Sequence, residues 1–113
     1  NSSDISEHDL MVSTPVCKSF SFAGKREGEK DKKYGDLIYE FIRILKDKKP
    51  KAFLFENVAG LVSKKHINFF NNFVLDIKNI GYEVTWELID CYDYGIPQKK
   101  KKGFYCWNKK RFK

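Results

Sequence analysis

Four consecutive apolar residues, Ala52-Phe53-Leu54-Phe55, stand between Pro50 and Glu56. The run is too short for a core helix, and it does not alternate with polar residues. A continuous run of this length is the pattern of a strand buried on both faces. Such strands belong to sheets with helices packed against them, so this one stretch already directs the chain toward an α/β architecture.

The flanking sequence fills in that architecture. Leu10-Met11-Val12 gives a short strand, Asp9 to Thr14, ended by Pro15, which has no N–H to offer a ladder. Leu37, Ile38, Phe41, Ile42 and Leu45 recur at helical spacing and predict a helix from Asp36 to Lys48, stopped by Pro50. Phe70, Phe73, Ile77 and Ile80 predict a second helix from Ser63 to Ile80, with Ser63 as its N-cap and Gly81 as its stop. Val84, Trp86 and Leu88 alternate with charged or hydroxyl residues, as in a half-buried strand, and Phe104 to Trp107 reads as a last strand. The order strand, helix, strand, helix, strand, strand describes half of an open, mostly parallel sheet with flanking helices.

Composition narrows the function classes. The 113 residues are 42% hydrophobic and 16% aromatic, enough for a core and against disorder. No apolar run is long enough to cross a bilayer, so no membrane partner is expected. Three cysteines without metal-like spacing suggest a reducing, cytoplasmic setting and neither a zinc site nor a disulfide framework. The net charge of +7 leans toward a polyanionic partner, nucleic acid first, with the lysines of 99–102 and 109–113 as the basic end.

Ligands in open α/β sheets gather at the carboxyl ends of the strands. Two chemically useful residues stand at such ends: Cys17 follows the first strand, with Lys18 beside it, and Glu56 follows the apolar run. A right-handed crossover makes those two strands parallel and near neighbours, so both side chains can face one pocket. A thiolate can add to an electron-poor carbon when a nearby acid takes up the developing charge. Glu56, at the end of an apolar strand, is expected to hold its proton more strongly than usual. This pairing suits addition to a pyrimidine: sulfur at carbon 6, the carboxyl at ring nitrogen 3, and carbon 5 made nucleophilic. The long polar loop 18–34 between the first strand and first helix is of the kind that carries function.

Three blocks in order then resemble one family. Pro15-Val16-Cys17-Lys18-Ser19-Phe20-Ser21 is similar to the Pro-Cys-Gln-x-Phe-Ser loop of the cytosine carbon-5 DNA methyltransferases. Glu56-Asn57-Val58 is similar to their Glu-Asn-Val motif, and Tyr94-Gly95-Ile96-Pro97-Gln98 with the lysines behind it to their Tyr-Gly-x-Pro-Gln-Arg-x-Arg motif. The resemblance implies a Rossmann-like methyltransferase fold and transfer of a methyl group from S-adenosylmethionine to carbon 5 of a cytosine flipped out of double-stranded DNA. It implies Cys17 as nucleophile and Glu56 as acid. It also places Ser21, Asn57, Gln98, Lys100 and Lys102 on the substrate side, with Ser21 at the phosphate backbone and Asn57 bracing the loop of Cys17. Val16 and Leu37 fall on the cofactor side.

The match has departures. Val16 stands where the family has proline, Lys18 where it has glutamine, Ser13 and Thr14 where it has glycines, and Lys100 and Lys102 where it has arginines. The family's glycine-rich cofactor loop and its target-recognition region have no counterpart in residues 1–113. The whole chain is therefore expected to be a partial catalytic domain from a bacterial restriction–modification enzyme, associated with the nucleoid. An inactive remnant that at most binds nucleic acid, or an RNA cytosine methyltransferase, are the alternatives.

Overall fold

A computed structural model describes residues 1–15, 32–97 and 103–109, with the side chains of 32–36 and 103–109 left aside. Its main elements are β1 (Leu10–Ser13), α1 (Lys32–Lys48), β2 (Ala52–Val58), α2 (Ile67–Ile80), β3 (Thr85–Ile89) and β4 (Gly103–Lys109). The four strands form one sheet in the order β1-β2-β4-β3. β1 and β2 are parallel, and β4 runs antiparallel to both β2 and β3. Three strands therefore point one way, and only β4, inserted between β2 and β3, opposes them. This is an α/β, Rossmann-like arrangement.

Both helices cover one face of the sheet. Phe53 and Phe55, alternate residues of β2, meet Phe41 of α1 at ring distances of 5.7 and 4.9 Å. Phe73 of α2 closes the group, 4.9 Å from Phe55 and 6.1 Å from Phe41. Ile38, Leu45, Leu61, Phe70 and Ile77 complete a core in which every one of these side chains is buried. The helical stripes read from the sequence are largely the stripes that pack, except that Leu37 of the first stripe is exposed.

The other face of the sheet is not covered among the described residues. Leu10 and Val12 of β1 are 57% and 58% exposed, and Leu54 is only partly buried. The apolar run 52–55 was expected to be buried on both faces; β2 instead alternates between buried and half-buried positions. The reason is topological. Right-handed crossovers from β1 to β2 and from β2 onward place α1 and α2 on the same side.

Other boundaries also differ from the sequence reading. α1 begins at Lys32 rather than Asp36, since an apolar stripe marks only the packed part of a helix and not its first turn. α2 begins at Ile67 rather than Ser63. A 3-10 turn over Ala59–Val62 and a hydrogen-bonded turn from Ser63 to His66 occupy the intervening residues. Ser63 closes the first of these instead of capping α2, whose N-cap is the buried His66. β3 is an edge strand and more exposed than half-buried; Trp86 reaches the helices, edge-on to Phe70 at 5.3 Å. Gly81 does end α2, at φ 113°, a conformation that suits glycine.

Tyr82, directly after that stop, ties α2 to the start of β2. Its ring packs on Phe53 at 5.4 Å and its hydroxyl donates to the Pro50 carbonyl at 2.5 Å. Burial pushes its pKa from 10.0 up to about 12. Tyr82→Phe should cost about 1–3 kcal/mol in urea unfolding at neutral pH, because the Pro50 carbonyl loses its donor inside the fold. The parent should also lose stability as pH rises from 10 toward the folded value, since the unfolded chain releases this proton first. The phenylalanine variant should lack that component.

Candidate active site

The carboxyl ends of β1 and β2 lie side by side. Their register runs from Leu10 with Ala52 to Ser13 with Phe55, so the next residues out are Thr14 and Glu56. Neighbouring strands are about 4.8 Å apart. The chain that leads to Cys17 therefore departs from the sheet beside Glu56, as the crossover argument required. Cys17 itself lies outside the described residues, as do Val16, Ser21, Gln98, Lys100 and Lys102.

Glu56 and Asn57, adjacent in the motif, face opposite sides of the sheet. Phe53, Phe55 and Asn57 share the face under the helices, while Glu56 shares the open face with Leu54, Val12 and Leu10. Glu56 is half-buried, and burial pushes its carboxyl pKa above the usual 4.5. No hydrogen bond or ion pair holds its charged form among the described residues. Burial thus favours the protonated form more than in an exposed glutamate, the direction expected from the apolar approach of β2.

Asn57 is 2% exposed. Its Oδ1 accepts the Val58 N–H at 2.8 Å, and its Nδ2 donates to nothing among the described residues. A buried amide with an unused donor is costly unless a further acceptor meets it. It sits at the mouth of β2, next to the strand from which residue 17 departs.

Leu37, assigned to the cofactor side, lies on α1 and is 40% exposed, so it can offer an apolar contact to a ligand. Among the described residues, no group of three or more His, Cys, Asp or Glu could hold a metal ion. No helix there is long and apolar enough to cross a membrane.

The third motif is held by a device the sequence reading passed over. Asp90 Oδ1 accepts the Tyr92 N–H at 3.1 Å and starts a 3-10 turn over Cys91–Tyr94, which Gly95 closes at φ 79°. An Asp two residues ahead of the N–H it accepts is a recognisable turn signal. The turn follows β3, which runs in the same direction as β1 and β2, so it emerges at the same edge of the sheet as Glu56.

The sheet, its two helices on one face and the motif residues at its carboxyl edge form a partial Rossmann-like α/β unit. The family model for C-5 cytosine-specific DNA methylase matches residues 1–113, and the chain belongs to that family. It is 38% identical over 104 residues to the Type II methyltransferase M.FnuDI of Fusobacterium nucleatum, covering 92% of this chain and 30% of that protein. It is 37% identical over 102 residues to M.BsuFI of Bacillus subtilis, with 90% and 25% covered. The chain thus spans about a quarter to a third of the length of these relatives. The fold is also that of the S. pombe Dnmt2 methyltransferase, at a TM-score of 0.63 and 19% identity over 93% of this chain and 30% of that one.

Proposed function

We propose that this chain is the central part of the catalytic region of a DNA cytosine carbon-5 methyltransferase from a restriction–modification system. The observation that carries the reading is the parallel pairing of β1 with β2, which brings the segment leading to Cys17 beside the half-buried Glu56, whose carboxyl pKa burial raises. Family membership and the positive charge of the chain support DNA as the substrate.

In this mechanism the target cytosine is flipped out of the duplex, because its carbon 6 is out of reach within the stack. The Cys17 sulfur bonds to carbon 6 while Glu56 holds ring nitrogen 3 through its proton. Electron density moves to carbon 5, which takes the methyl group. Loss of the carbon 5 proton then expels the sulfur and restores the ring. S-adenosylmethionine would supply the methyl group, with Leu37 and Val16 on its side of the site. Ser21, Gln98, Lys100 and Lys102 would hold the DNA, and Asn57 would brace the Cys17 loop. Lysine in place of the motif's arginines keeps the charge but loses the two-pronged fork.

The test is transfer of labelled methyl from S-adenosylmethionine by an enzyme that contains this chain, offered duplex DNA and transfer RNA in parallel. Label at carbon 5 of cytosine in DNA is the expected result. Label in transfer RNA alone would favour the RNA reading, and label in neither would favour the inactive remnant.

A further inference from the structure

The turn after β3 is fixed by hydrogen bonds and not by packing. The Asp90 carbonyl accepts the Asp93 N–H at 3.0 Å, the Tyr92 carbonyl the Gly95 N–H at 3.1 Å and the Cys91 carbonyl the Ile96 N–H at 3.2 Å. Among the described residues, Asp90 is the side chain that joins them, through the Tyr92 N–H. No residue of the Cys91–Tyr94 turn is buried. Tyr92 and Tyr94 are 68% exposed and Ile96 is 48% exposed. With no core to seat it, the turn takes its direction from Asp90 and from the left-handed Gly95.

The register of the sheet puts that turn beside the candidate site. Val58 of β2 and Ile89 of β3 are both paired with Gly103 of β4, so the two strands end at one level. One strand lies between them, a separation of about 10 Å. Asp90 follows Ile89 directly, and Glu56 lies just before the end of β2. Residues 91–97 therefore leave the sheet at the edge that carries Glu56, on the side away from β1.

We propose that Asp90 is a positioning residue for duplex DNA: its carboxylate holds the turn through which the third motif leaves β3 at the edge of Glu56. This rests on the reading of that motif as part of the DNA-holding side. The role belongs to the geometry of the carboxylate and not to its charge, since an anion near a DNA phosphate is itself repelled. Asparagine has an acceptor at the same place and can close the same turn, whereas glutamate keeps the charge on a longer arm and does not.

The test is steady-state methyl transfer to duplex DNA by an enzyme that contains this chain. Asp90→Ala should raise the KM for DNA about fivefold, the equivalent of one lost hydrogen bond. It should leave kcat and the KM for S-adenosylmethionine within about twofold of the parent. Asp90→Glu should behave like the alanine variant, and Asp90→Asn like the parent. If the alanine variant does not fold, the contrast between asparagine and glutamate decides alone. A glutamate variant that matches the parent while the asparagine variant loses DNA would make charge the cause and overturn the proposal. Equal losses in kcat and in both KM values, or an unchanged KM for DNA in the alanine variant, would also overturn it while leaving the DNA reading in place. Absence of methyl transfer to duplex DNA by the unmodified enzyme would instead overturn the reading on which the proposal rests.

Discussion

Replacing Cys17 by serine is expected to abolish methyl transfer by an enzyme that contains this chain while leaving duplex binding largely intact. Serine preserves size and hydrogen bonding. Its hydroxyl is not appreciably ionised at neutral pH, however, and nothing assigned to the site would activate it as the thiolate is activated. The sharper form of the experiment uses 5-fluorocytosine at the target position. Fluorine replaces the hydrogen whose loss would release the sulfur, so the protein should remain covalently attached to the DNA after methylation. The adduct should map to Cys17. An adduct that forms equally well with the serine variant, or that maps to Cys91 or Cys106, would refute the assignment.

Glu56→Gln is expected to slow transfer by about a hundredfold or more, the range for loss of a positioned acid. Glutamine can still approach ring nitrogen 3, but it cannot deliver a proton. The pH profile separates this role from a structural one. Burial raises the Glu56 pKa, so the folded protein keeps this proton to higher pH than the unfolded chain does. Any stability linked to it is present below the unfolded value of about 4.5 and lost as pH rises through the folded one. Activity should fall on the alkaline side for the same reason, and the residual rate of the glutamine variant should lack that limb. A profile identical in both proteins would remove Glu56 from the acid role.

Much of this was legible in the residues. The Phe41, Phe70 and Phe73 spacing identified two packed helical faces because a repeat near 3.6 residues has few other physical meanings. Pro50 and Gly81 marked their ends through backbone chemistry alone. The strand ends at Pro15 and Glu56 could be paired because right-handed crossovers leave little choice. Residues 63–66 were misread as the start of a helix, and the 3-10 turn just before them was not foreseen. Short 3-10 and β-turns have no period to detect, and Ser63 serves the end of one turn as readily as the start of a helix. The insertion of β4 was also hidden, since strand order is decided by contacts far apart in the chain. The division of Glu56 from Asn57 follows from strand alternation, yet the motif, read as one block, obscured it.

The insertion of β4 has a consequence for how the chain is made. Every residue of β2 aligns with one in β4, so the largest pairing in the sheet joins its middle to residues synthesised much later. Until then β2 has only the short β1 beside it, and β3 has no partner among the described strands. Long-range closure of this kind is slow, and open strand edges invite pairing with other chains in the meantime. On the ribosome, β2 and β3 wait with unpaired edges until residues 103–109 emerge. A nascent chain halted before that point should associate with holding chaperones more than one in which β4 has emerged.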